Sequence, residues 1–270
     1  MNEPSQPPYL LGHSAEELSR LEEQSLFFNA ETEDTLSSAG LLAGMNVLDV
    51  GCGAGDVAIA AARIVGPSGR VLAIDTSEQA VALANQRFAR QELSWVRAEV
   101  CNAFAVAKDG FDAVIGRFIL MHLSDPASLL RQLRTVLKPS GILAFLEMDI
   151  GSASIEPPMP IFEQGVRAIV DVYRASGSEP DMGSRLYATF RRAGLDPQLK
   201  GSCRVEGGPD AQVYEYLARS VESLSPAMRL NAVTPPFAEA GHYAQALKAL
   251  ARRLDHSVAH PRLTAAWARA

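Results

Sequence analysis

From Met45 onward the chain repeats one rhythm: a short unbroken apolar run, a turn, then a segment whose apolar residues return every three or four positions. The runs Met45–Val50, Val71–Ile74, Ser94–Ala98, Phe111–Gly116 and Ile142–Met148 predict strands. Between them, Asp56–Val65, Ser77–Gln91 and the segment from Asp125-Pro126 to Leu137 predict helices. Gly66-Pro67-Ser68-Gly69 stops the first helix and Lys138-Pro139-Ser140-Gly141 the third. Thr76 with Gln79 makes a capping box opening the second helix, and Asp125 caps the third with Pro126 in its first turn. Strands that are apolar throughout and separated by helices belong to parallel βαβ units in a sheet covered on both faces.

The flanks read differently. Residues 1–12 hold Pro4, Pro7 and Pro8 and few apolar anchors, so a loose arm is expected there. A helix follows from Ser14, with Leu18, Leu21, Leu26 and Phe27 on one side and Ser14 with Glu17 as a capping box. After Asp149 the alternation stops. Pro157, Pro158 and Pro160 precede a helix over Ile161–Ala175, and a second helix, Gly183–Ala193, ends at Gly194. Gln198–Val205 predicts a strand, helical material continues to about His256, and Leu263–Trp267 predicts a closing strand. The expectation is an α/β fold around a mostly parallel seven-stranded sheet carrying helical insertions.

Composition narrows the function. Hydrophobic residues make up 47% of the 270 positions, enough for a sizeable core. The net charge of −6 disfavours nucleic acid as a partner, since phosphate recognition draws on a basic excess. No apolar run nears the roughly 20 residues that cross a bilayer, and no secretory leader is read at Met1–Pro8. Cys52, Cys101 and Cys203 are widely separated, which reads as reduced thiols of a cytoplasmic protein. His242, His256 and His260 lack metal-ligand spacing, so no metal is expected.

The densest chemistry is Val47-Leu48-Asp49-Val50-Gly51-Cys52-Gly53-Ala54-Gly55-Asp56, set between strand and helix. Alternate glycines let the backbone turn tightly and bring amides against a ligand before a helix N-terminus. Three of them exceed what a turn needs. The spacing differs from the G-x-G-x-x-G of dinucleotide sites, which argues against a nicotinamide dehydrogenase. Asp49 suits a ligand bearing an ammonium group. Asp75 ends the next strand, where open α/β sheets place the acid that binds ribose hydroxyls.

These residues resemble the class I S-adenosylmethionine-dependent methyltransferases. Val96-Arg97-Ala98-Glu99-Val100 resembles that family's third-strand segment, whose acid and following residue meet the adenine, and Phe111–Gly116 resembles its fourth-strand motif. Leu120-Met121-His122-Leu123 before Asp125-Pro126, with Leu137-Lys138-Pro139 before Gly141, is similar to the ubiquinone/menaquinone-biosynthesis-like branch, many of whose members act on small molecules. The resemblance covers about Leu41 to Asp149. It departs at Ala98 and Glu99, where glycine and aspartate are common, and at Ser140, where a glycine is frequent.

The resemblance implies a Rossmann-like, doubly wound fold with helical lid insertions. It also implies S-adenosylmethionine as cofactor, S-adenosylhomocysteine as product, and SN2 transfer of methyl to O, N or C of a small organic acceptor. The implied cofactor-binding residues are Asp49, Gly51, Gly53, Gly55, Asp75, Thr76, Glu99, Val100 and Arg117, with Gln24 covering the cofactor. Arg117, after the fourth strand, faces either the methionyl carboxylate or an acidic substrate group, unless it pairs with a surface acid. His122 is the candidate general base, its imidazole titrating near working pH; the competing reading is a packed histidine. Glu147, at the end of the fifth strand, is a second candidate acid or base. Alignment does much of the work in such a transfer, so a base is not obligatory.

The expected division is an N-terminal arm and lid helix (1–35), a cofactor-binding core (36–150), and a helical lid with closing strands of the same sheet (151–270). In the lid, Phe162, Tyr173, Tyr187, Tyr214, Tyr216 and Phe237 supply an aromatic pocket or simply core. Gln6-Pro7-Pro8-Tyr9 and Thr234-Pro235-Pro236-Phe237 echo the Asn-Pro-Pro-Tyr motif of base methylation, but neither follows an apolar strand. The expected partner is a small-molecule acceptor without nucleic acid or membrane insertion; a homodimer is left open. Two rival readings stand beside this one: a protein or RNA methyltransferase, and a methyltransferase-fold protein that binds the cofactor without transferring methyl.

Overall fold

The computed structural model describes residues 15–107, 110–237, 240–253 and 255–270, with the side chains of 15–26 and 240–241 left aside. The expected arm, the Ser14–Glu17 cap, Gln6–Tyr9 and the Gln24 contact therefore lie outside the described residues.

The described residues form the strands β1 (Asn46–Val50), β2 (Arg70–Asp75), β3 (Val96–Val100), β4 (Phe111–Arg117), β5 (Leu137–Asp149), β6 (Ser154–Glu156), β7 (Gln198–Ser202), β8 (Val205–Gly207), β9 (Ser257–Ala259) and β10 (Arg262–Arg269). The helices are α1 (Ala15–Ala39), α2 (Asp56–Val65), α3 (Glu78–Arg90), α4 (Pro126–Arg134), α5 (Pro160–Ala175), α6 (Leu186–Arg192), α7 (Val213–Leu230) and α8 (Ala240–Ala251).

Seven strands join in the order β3-β2-β1-β4-β5-β10-β7. β1 to β5 run parallel, while β10 lies antiparallel between β5 and β7. The chain steps outward from β1 to β3, then returns to place β4 on the other side of β1. That reversal opens a crevice beyond the carboxyl ends of β1 and β4, where open α/β sheets bind ligands.

Each sheet face carries its own core. One packs Val57, Ala58, Ala61 and Val65 of α2 with Ala84 and Phe88 of α3 and Leu36 of α1. The other packs Leu129, Leu130 and Leu133 of α4 with Phe145 of β5 and Phe190 of α6. The strands are buried on both sides, as Val47–Val50 shows, which is why they read as unbroken apolar runs.

The predicted strands and helices are present, with corrections at their ends. Ser77, not Thr76, caps α3: its hydroxyl accepts from the Ala80 amide at 3.2 Å. Asp75 takes the Ser77 amide, which keeps the chain extended one residue longer than expected. α4 ends at Arg134, and Lys138–Gly141 lies inside β5 as an irregularity, with Ser140 at φ 63°. The expected strand Gln198–Val205 divides between two sheets. β7 closes the large one, whereas β8 joins a small antiparallel sheet, β6-β9-β8, that the apolar pattern did not announce.

A candidate active site at the switch point of the sheet

Beyond β1 the backbone enters left-handed space at Gly51, Gly53 and Gly55, with φ of 67°, 50° and 86°. Side chains pay for that conformation, and here they also lack room: a Cβ on Gly51 would stand 2.7 Å from Ile119 and one on Gly55 2.7 Å from Phe88. Asp75 pins the loop from the next strand. Its Oδ2 accepts from the Gly53 amide at 2.9 Å and its Oδ1 from the Ser77 amide at 3.0 Å. Each oxygen keeps a second lone pair, and Asp75 joins the wall of a cavity.

That cavity, about 330 Å³, has two unlike ends. Gly51, Gly53, Asp75, Thr76, Asn102 and Arg117 line the end above the strands. Met148, Phe162, Ile169, Tyr173, Leu217 and Leu224 line the other, contributed by β5, α5 and α7. Of the lid aromatics, Phe162, Tyr173 and Tyr216 reach the wall. Tyr214 is core, Tyr187 is exposed, and Phe237 stacks on Tyr243.

Arg117 projects from the end of β4 into the polar end and is 10% exposed. Its Nη1 donates to Thr32 Oγ1 at 2.9 Å, and its Nη2 stands 3.9 Å from Asp56 Oδ2. Asp56 in turn receives Arg87 at 2.6 Å. Of the readings open for Arg117, pairing with a surface acid is thereby replaced by a buried ion pair on the wall. Its burial pulls the guanidinium below its ordinary range, with Asp56 and Asp49 opposing. The bond to Thr32 fastens α1 over this end, reinforced by Phe28 edge-on to Phe118 at 5.2 Å.

Asp49 lies beneath the glycine loop rather than on the wall. It is 1% exposed, and burial raises its pKa to about 8 against the pull of Arg117 and a backbone hydrogen bond from Ala58. Gly55 also stays behind the wall, as the left-handed residue from which α2 starts.

Glu99 and Val100 are not brought to the cavity. Glu99 is half-exposed and paired with Arg97 at 2.9 Å, and Val100 is 52% exposed. β3 runs two residues past its expected end at Ala98, so Cys101, Asn102, Ala103 and Phe104 form that wall instead. The signal for them was an Asx turn: Asn102 Oδ1 accepts from the Phe104 amide at 2.9 Å and opens a short 3-10 turn.

His122 reaches the junction of the two ends, its ring 5.8 Å from that of Tyr173. Burial lowers its pKa to about 4, so the imidazole is neutral at working pH and a weaker base than its type suggests. Glu147 is behind the wall. It is fully buried, and Oε1 accepts from the Ile119 and Leu120 amides at 3.0 and 2.7 Å, holding the turn that carries His122. Burial raises its pKa to about 8, against the lowering effect of those amides. Glu147 is thus placed as a support for the turn rather than a group facing an acceptor.

Among the described residues there is no metal-binding cluster, and no helix is long and apolar enough to cross a membrane.

The chain is similar to known proteins in sequence and in fold. Residues 41–192 match a family model described as a methyltransferase domain. A demethylmenaquinone methyltransferase of Halalkalibacterium halodurans is 34% identical over 134 residues, 49% of this chain and 52% of the relative. A 2-phytyl-1,4-naphtoquinone methyltransferase of Synechococcus elongatus is 34% identical over 133 residues, 47% of this chain and 54% of the relative. The chain thus spans about half the length of these curated relatives. A SAM dependent methyltransferase from Aquifex aeolicus shares the fold, with a TM-score of 0.52 at 23% identity, over 70% of this chain and 90% of that one. With the matched segment spanning more than half of the 270 residues, the chain belongs to the methyltransferase-domain family.

Proposed function

We propose that this chain transfers the sulfonium methyl group of S-adenosylmethionine to a small organic acceptor. The observation that carries this reading is one continuous cavity, polar above the glycine loop and apolar under α5 and α7. The donor set of the polar end fits the cofactor: a carboxylate at Asp75 for a diol, a guanidinium at Arg117 for a carboxylate, and Asn102 with Phe104 for a base. When bound, S-adenosylmethionine supplies an electrophilic methyl and leaves as S-adenosylhomocysteine.

The chain's own residues bind, align and exclude water. Gly51 and Gly53 allow close approach of the backbone, and Asp75 fixes that loop while presenting its free lone pairs. Thr76 lies beside it on the wall. Arg117 bridges the polar end to α1, so holding the cofactor and holding the lid share one side chain. His122, neutral, orients the acceptor by hydrogen bonding, and alignment supplies most of the catalysis. Closure by α1, α5 and α7 keeps water out.

The proposed division is an arm and lid helix (1–35), a cofactor-binding core (36–150) and a lid with closing strands (151–270). The demethylmenaquinone and phytyl-naphtoquinone methyltransferases to which the chain is related support a small-molecule acceptor. The net charge of −6 supports it over nucleic acid, and the free cysteines support a cytoplasmic setting.

The test is incubation of the purified chain with methyl-labelled cofactor and a size-fractionated cell extract. Label in a small metabolite is expected. Label confined to protein or RNA overturns the acceptor class, and bound cofactor with no transfer to any fraction overturns the activity.

A further inference from the structure

Resting on that proposed transfer, we infer that Thr32 of α1 is a positioning residue: through Arg117 it makes affinity for the amino-acid end of the cofactor depend on α1 being seated.

The hydroxyl of Thr32 is committed in both senses. The residue is 2% exposed, on the inner face of α1. Its Oγ1 donates to the Phe28 carbonyl at 2.6 Å and accepts from Arg117 Nη1 at 2.9 Å. With its one proton spent on the helix, the hydroxyl meets the guanidinium by its lone pairs alone, so the bond has one sense and one direction. Asp56 Oδ2 stands 3.9 Å from Nη2, too far for a hydrogen bond, and balances the charge without aiming the fork. Of these two neighbours, Thr32 is the one that sets where the guanidinium points.

The backbone after β4 supports the same contact. Phe118 is at φ 56°, left-handed space that an aromatic residue enters only against a steric penalty. Consecutive side chains of an extended strand point to opposite faces, and the left-handed residue breaks that alternation. Arg117 and Phe118 reach α1 together, the first at Thr32 and the second edge-on to Phe28 at 5.2 Å. Phe28 and Thr32 are four positions apart, neighbours on one helix face. One face of α1 thus grips two consecutive residues, and both of them also line the cavity.

Linkage then gives the sign. If a seated α1 holds the guanidinium where a carboxylate needs it, the bound carboxylate holds α1 in its seat by the same factor. A ligand with the same nucleoside and thioether but no amino acid makes no such differential contact and leaves α1 unmoved.

S-adenosylhomocysteine and 5′-methylthioadenosine differ by that amino-acid end, and calorimetry of both on the full chain is the test. Thr32→Val should weaken S-adenosylhomocysteine by roughly 10-fold or more, as losing a hydrogen bond to a charged group does. The same variant should weaken 5′-methylthioadenosine less than 3-fold. Thr32→Ser keeps the hydroxyl and should hold S-adenosylhomocysteine within 3-fold of wild type. Equal losses for the two ligands, no loss for S-adenosylhomocysteine, or failure of serine to rescue each overturn the inference. In the wild-type chain, amide hydrogen exchange over residues 27–39 should slow at least 5-fold under S-adenosylhomocysteine and less than 2-fold under 5′-methylthioadenosine. Equal slowing overturns the inference even where Thr32→Val does not fold. The two readings fail separately. Unmoved Thr32 variants on a chain that transfers methyl remove the inference alone, and the expected ratios on a chain that transfers none remove the transfer alone.

Discussion

Replacing Glu147 with Gln should make this protein more stable, and increasingly so as the pH rises. The carboxyl is fully buried, and burial carries its pKa from an ordinary 4.5 to about 8. The folded chain therefore holds the proton more tightly than the unfolded chain. Stability from this group is complete below pH 4.5 and is lost as the pH climbs to about 8. The expected loss runs at about 1.4 kcal/mol per pH unit and accumulates to on the order of 5 kcal/mol. Glutamine imitates the protonated form: its carbonyl oxygen can accept from the Ile119 and Leu120 amides as Oε1 does, and it never ionises. Urea unfolding of both proteins between pH 5 and 8.5 reads the difference directly. Asp49, also raised to about 8, titrates in both chains and cancels. A difference that is flat with pH, or of opposite sign, refutes the reasoning. The same variant should retain methyl transfer, whereas a 10²- to 10⁴-fold loss would return Glu147 to acid–base chemistry.

Further outcomes follow from the same geometry. Asp75→Ala removes the acceptor of two loop amides as well as a wall carboxylate, so S-adenosylhomocysteine affinity should fall at least 10-fold by calorimetry. Gly165→Ala puts a Cβ 1.9 Å from the Tyr243 hydroxyl, which itself bonds Ile161 O at 2.8 Å. It should cost about 2–3 kcal/mol in urea unfolding, a typical overpacking penalty, and Tyr243→Phe should recover part of that. His122 titrates near 4 when folded and 6.5 ordinarily, so the unfolded chain takes the proton first and stability falls as the pH drops through that window. His122→Gln should relieve this by about 3 kcal/mol at pH 4, seen as a raised Tm in acid.

The sheet was legible because parallel strands buried on both faces leave a mark at every position, as Leu48, Ile74 and Ile115 do. Positions that depend on one residue's register were not. Thr76 and Ser77 are both capping types, and the choice falls to Ser77 because Asp75 engages its amide. Glu99 and Val100 missed the cavity because β3 continues to Val100, a length set by pairing with β2 rather than by its own pattern. β6, β8 and β9 span three residues each and expose much of their length, so they carry no apolar signature. Of the lid aromatics that read as either pocket or core, Phe162, Tyr173 and Tyr216 line the cavity. Which aromatics face inward is decided by packing among α1, α5 and α7, which lies beyond any local pattern.

The place of β10 inside the sheet has a consequence for how the molecule is made. β5 is paired over Ile142–Asp149 by residues 262–269, more than a hundred positions further on. During synthesis, the five parallel strands and their helices emerge first, with β5 left as a bare, apolar margin awaiting its neighbour. Such an unpaired margin invites other chains, and closing so long a loop is slow. The segment translated in the interval is the roof of the cavity, so a ribosome that stalls there releases a half-sheet with a sticky border. The architecture that roofs the cavity thus leaves the apolar edge of β5 unpaired until Arg262–Arg269 arrive.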